Sequence, residues 1–234
     1  MTLKRKSAAI ITLELATCVM MLTALYAIFI YAPIEKTMGL VQKIFYIHVP
    51  SAFLAFFAFF ITFVASILYL YKRENKWDIM AFCSAEIGVI FCSIVLITGP
   101  IWAKPIWNAW WTWDPRLTTT LILWFIYAAY LILRGSAEEN RRSNFSAVFG
   151  IIGFVNVPIT FLAVRLWRTI HPVVITPQGI NISYPMKLTL ILTLMAFCLL
   201  FFTLLVTRIR LERMRLDVEK IRALSQDKKI YRKE

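Results

Sequence analysis

The chain has 234 residues, 60% of them hydrophobic and 17% charged, and its 26 Lys and Arg outweigh 13 Asp and Glu to give a formal charge of +13. Soluble domains run at about 45–50% apolar and about 25% charged residues, so this composition excludes a soluble single-core domain and a disordered chain alike. The basic residues lie between long apolar runs. That arrangement marks them as topology signals and lipid-headgroup contacts, not as a nucleic-acid surface.

A membrane span needs about 20 mostly apolar residues. Six segments qualify, at 10–32, 46–71, 79–99, 117–134, 146–165 and 186–207. Each is continuously apolar instead of alternating, so the expected fold class is all-α, a polytopic membrane protein whose six transmembrane helices form a single domain. The first run is too long for a signal-peptide core and has no A-x-A site, and is expected to be a retained span that carries Glu14 near its start. In the second, Pro50 is expected in the opening helical turn, two residues after His48. The third contains Glu86 and closes at Gly99-Pro100. Intramembrane carboxylates are functional candidates, and Glu86 is either protonated or paired with a helix of another subunit. Asn156-Val157-Pro158 is expected to kink the fifth run. Cys18, Cys83, Cys92 and Cys198 each sit in an apolar run without a C-x-x-C pair, which suits small packing residues and no disulfide framework. No internal repeat supports an inverted-repeat transporter.

Orientation follows from the Lys and Arg count, 19 on one side of the spans and 7 on the other. The positive-inside rule then places both termini in the cytoplasm, with outer segments at about 33–45, 100–116 and 166–185. The tail, residues 208–234, has Leu211, Met214, Val218 and Ile221 at helical spacing among basic residues. It reads as a basic amphipathic cytoplasmic helix, either lying on the membrane surface or touching a cytoplasmic partner.

The outer segments hold the chemistry. Trp102, Trp107, Trp110, Trp111 and Trp113 place five indoles in twelve residues of one outer loop. Tryptophan favours the headgroup level, but a belt spreads over all helix ends, whereas this block is a concentrated flat apolar surface suited to a large planar ligand. The only two histidines, His48 and His171, fall on the same side. They are either solvated at the surface or the axial pair of a haem iron, and with no nearby cysteine and few carboxylates haem suits them better than zinc. Asp114 is placed as an N-cap with Pro115 at the first helical position. Arg116 then either snorkels to lipid phosphate or pairs with a haem propionate.

Gln42 to Ala52 (QKIFYIHVPSA), Thr98 to Thr118 (TGPIWAKPIWNAWWTWDPRLT), Asn156-Val157-Pro158-Ile159 and Trp167 to His171 (WRTIH) together resemble the CcmC family. These are haem-handling membrane proteins of bacterial cytochrome c maturation, within the tryptophan-rich WWD superfamily. One departure is that Trp107 is followed by Asn108-Ala109 where the family commonly reads W-G-x-W-W. The resemblance implies a multi-pass protein of the bacterial inner membrane with its site facing the periplasm. Haem b is held there as cargo between His48 and His171, over the tryptophan platform and beside Asp114 and Arg116. It also implies partners: a periplasmic haem chaperone like CcmE, ABC transporter subunits like CcmA and CcmB, and a small membrane protein like CcmD. No Walker motif is present, so nucleotide hydrolysis is expected in the partners. The expected role is transfer and not enzymatic, unless the chain promotes covalent attachment of haem to the chaperone. A channel or carrier for another small solute is the alternative of a different class.

Overall fold

Hydrocarbon offers no water to satisfy backbone amides, so each apolar run must close its hydrogen bonds within itself. In the computed structural model, which describes residues 2–136, 139–167 and 182–231, they do so as seven helices. These are α1 (Thr2–Tyr26), α2 (Phe45–Lys72), α3 (Asn75–Trp107), α4 (Pro115–Ser136), α5 (Glu139–Phe154), α6 (Asn156–Leu166) and α7 (Tyr184–Tyr231). A π-helical turn, Ala27–Tyr31, extends α1, and a 3₁₀ turn, Leu40–Ile44, leads into α2. Six helical stretches are long and apolar enough to cross a membrane.

The fifth stretch is α5 followed by α6, interrupted at Val155 next to the Asn156-Val157-Pro158 sequence. Asn156 Nδ2 donates to Thr119 O of α4 at 2.9 Å, which ties the interruption to its neighbour. Two other prolines depart from expectation. Pro50 lies inside α2, beyond the first turn, because the helix already begins at Phe45. Pro100 does not end α3, which continues through Pro105 to Trp107. Each proline removes one backbone bond, and the surrounding side-chain burial outweighs that local loss.

Helices α2 and α3 form the centre through small residues that let their backbones approach. A Cβ on Gly88 would meet Phe59 Cε1 at 2.5 Å and Ala58 Cβ at 3.1 Å. Ser84 Oγ donates to Ala58 O at 2.8 Å, and Thr62 Oγ1 to Ala81 O at 3.2 Å. Phe59 stacks on Tyr127 of α4 with centroids 3.7 Å apart. Helix α1 lies along α7, joined by the Thr17 and Thr203 hydroxyls at 2.7 Å. A second cluster gathers Phe45, Tyr46 and Val49 of α2, Trp102 of α3, and Met186 and Leu190 of α7.

The opposite end of the bundle is polar. Arg134 of α4, only 3% exposed, makes two 2.6 Å bonds to the Asp78 carboxylate of α3 and lies 4.5 Å from the Phe82 ring centroid. Glu86 pairs with Arg208 of α7 at 2.7 Å, and Arg208 reaches Glu212 at 3.0 Å. The partner of Glu86 therefore comes from its own chain, not from another subunit. Glu14 is exposed on α1. Helix α7 runs past Arg208 without a break for 48 residues, so the tail continues the sixth span, with Leu211, Met214, Val218 and Ile221 exposed along it.

Removing one partner of a buried ion pair strands the other, at a cost of about 3–5 kcal/mol, while replacing both by apolar residues is often neutral. Asp78→Ala and Arg134→Met are each expected to cost that much in denaturant melts of the detergent-solubilised protein. The double change Asp78→Leu with Arg134→Met recovers most of it.

Candidate functional site

The continuation of α3 past Pro100 organises the tryptophan end. It keeps Thr98, Gly99 and Trp102 on consecutive helical turns, and all three meet His48 across the α2–α3 contact. His48 Nδ1 lies 2.8 Å from Thr98 Oγ1. A Cβ on Gly99 would touch His48 Cε1 at 3.5 Å. The Trp102 indole stands edge-on to the imidazole, with centroids 5.9 Å apart. Both His48 and Trp102 are buried, and Trp102 Nε1 finds no hydrogen-bond partner among the described residues.

Helix α3 ends after Trp107 with Asn108 in the left-handed region, φ 54° and ψ 21°. Glycine occupies that region without strain, and asparagine is the next most tolerant residue. The departure from W-G-x-W-W thus preserves the turn. Lys104 Nζ secures it by donating to Asn108 O at 3.3 Å and to Oδ1 at 3.1 Å. The chain then runs non-helically to Asp114, with Trp111 edge-on to Trp113 at 5.9 Å. Asp114 caps α4: its Oδ1 accepts the Arg116 amide at 3.0 Å, and Pro115 occupies the first position.

Arg116 folds back onto α6, where Nη1 donates to Thr160 O at 2.8 Å and Phe161 O at 3.1 Å. Those bonds hold the guanidinium against protein backbone, an arrangement neither of the two sequence readings anticipates. Its carbon lies 5.7 Å from the Phe56 ring centroid.

One largely apolar cavity brings together His48, Trp102, Trp107, Trp111, Arg116 and Arg165. Trp110 and Trp113, 59% and 77% exposed, are not on its wall, and neither is Asp114, which shapes it through the cap. His171 lies outside the described residues. Sequence reasoning missed Thr98, which bonds the imidazole, and Arg165, which it counted only as a topology charge. Arg165 sits one helical turn after Phe161, with its guanidinium 5.9 Å from that ring, and Phe161 in turn stands edge-on to Phe56, the ring beside Arg116, with centroids 6.4 Å apart. No carboxylate lines the cavity among the described residues. Apolar walls, indole faces, an imidazole and a cationic rim suit a flat, mostly apolar ligand with anionic substituents.

The family model described as heme exporter protein C matches residues 2–224. The heme exporter protein C of Bradyrhizobium diazoefficiens is 32% identical over 225 residues, covering 95% of this chain and 85% of that protein. That of Rhodobacter capsulatus is 31% identical over 221 residues, 90% of this chain and 88% of its own length. The Escherichia coli K12 protein of the same name is 33% identical over 181 residues, 77% and 74% of the two chains.

The turn after α3 carries its own test. Asn108→Gly is expected to leave thermal stability unchanged. Asn108→Val, β-branched at positive φ, costs about 1–2 kcal/mol and lowers the melting temperature in detergent.

Proposed function

The chain belongs to the heme exporter protein C family, and from that premise we propose that it binds haem b at the periplasmic face of the bacterial inner membrane and passes it to a periplasmic chaperone like CcmE. Its general role is haem handling for cytochrome c maturation, as a multi-pass membrane component of a larger assembly. The finer reading rests on one observation above all, that a single apolar cavity joins His48, three indoles and two guanidinium groups.

In this reading His48 and His171 are the axial ligands, as neutral imidazoles suit haem iron. Trp107 and Trp111 cover a porphyrin face. Arg116 and Arg165 meet the propionates; a guanidinium has five N–H donors, so the two backbone bonds of Arg116 Nη1 position it without using up its capacity. Trp110 and Trp113 are exposed and in this reading offer apolar surface to an arriving chaperone. The transporter subunits like CcmA and CcmB and a small protein like CcmD complete the assembly. The Lys and Arg asymmetry supports the orientation, with both termini cytoplasmic.

Three measurements test this reading. Purified protein is expected to show a six-coordinate, low-spin haem spectrum. His48→Ala or His171→Ala alters it and stops transfer to the chaperone, and the double variant loses nearly all haem; a double variant with parental haem content and spectrum refutes axial ligation by this pair. Arg116→Ala lowers haem retention and Arg116→Lys restores it partly, because lysine lacks the planar fork. Reporter fusions after Gly135 and after Lys104 are expected in opposite compartments, the latter in the periplasm.

A further inference from the structure

We propose that Thr98 is a positioning residue that fixes the tautomer and orientation of His48, so that Nε2 presents its lone pair to the haem iron. This rests on the reading of His48 as an axial ligand. A neutral imidazole carries one proton, and only the unprotonated nitrogen can bind a metal. The partner of the other nitrogen decides which one that is.

On the Nδ1 side that partner is the Thr98 hydroxyl. Thr98 Oγ1 lies 2.7 Å from Ile94 O, the carbonyl one turn earlier in α3. A carbonyl oxygen only accepts, and at 2.7 Å it is the acceptor nearest the threonine proton. In this proposal Oγ1 then acts as acceptor towards His48 Nδ1, 2.8 Å away, and Nδ1 carries the hydrogen. Nε2 keeps the lone pair. The same bond sets the ring plane, which Trp102 braces edge-on, while Gly99 lies beside Cε1. Those three residues share α3, so the helix that supplies the indole also prepares the ligand. His48 comes from α2 and lines the cavity. An N–H donated to an oxygen also makes the imidazole a stronger donor to a metal, and losing such a partner typically costs about 10- to 100-fold in affinity.

The test compares full-length protein in detergent, loaded with haem b, as parent, Thr98→Val, Thr98→Ser and His48→Ala. Valine keeps the shape of threonine and removes the acceptor; serine restores it. Haem transfer to apomyoglobin is expected to speed up by about tenfold or more in Thr98→Val. Its low-spin fraction falls and the reduction potential of the remaining low-spin haem rises, because the weaker donor stabilises ferric iron less. Thr98→Ser returns all three readouts towards the parent. Should Thr98→Val not yield folded protein, Thr98→Ala gives the same comparison. Parental loss rate, spectrum and potential in the folded acceptor-less variant overturn the proposal, as does a serine variant that fails to recover them. If His48→Ala itself keeps the parental spectrum, the ligand assignment beneath the proposal fails instead.

Discussion

Close approach of α2 and α3 is the constraint on which the remaining geometry hangs. Gly88 leaves room for the Phe59 ring, and the Ser84 and Thr62 hydroxyls reach across the seam to the facing backbone. In lipid, where burying apolar surface gives little preference for helix over hydrocarbon, such contact packing does the joining. The seam sets α3 beside α2 so that His48 faces Thr98, and α3 carries Asp78 towards its other end, where it meets Arg134 of α4. A larger residue at Gly88 would collide with the Phe59 ring and Ala58 at this seam.

The two ends differ in how they treat charge. At the polar end, the Asp78–Arg134 pair and the Glu86–Arg208–Glu212 chain answer cations with carboxylates and place both guanidinium groups beside Phe82. At the tryptophan end, Arg116 and Arg165 line the cavity without a carboxylate on its wall among the described residues. Backbone carbonyls satisfy part of Arg116 and neutralise none of its charge. Arg134 and Arg208 are ion-paired, whereas Arg116 and Arg165 bring positive charge to an apolar recess.

What sequence could reveal follows from how local each signal is. Six spans are legible because hydropathy over about 20 residues needs no knowledge of neighbours. The Asp114-Pro115 cap is legible for the same reason, since its bonds close within two residues. Pro50 and Pro100 mislead because proline's penalty is local whereas the burial that offsets it is not. Arg134 reads as a loop charge because Asp78 is 56 positions away, and Thr98 reads as an ordinary threonine because His48 is 50 positions away. The histidines and tryptophans announce a site by composition alone. The residues that hold them in place emerge only from the fold.

Helix α7 joins the two ends mechanically. It contributes Met186 and Leu190 to the cluster around Trp102 and Phe45, and Arg208 to the ion-paired network at the far end. Between Met186 and Arg208 the helix has no interruption, and it continues to Tyr231. Such a rod is about 72 Å long at 1.5 Å per residue, and Arg208 ties it to Glu86 of α3 partway along. A tilt of about 5° there sweeps Met186 through roughly 3 Å, the helix rising about 33 Å between the two. Through that geometry a force applied to the far arm would reach the packing behind Trp102.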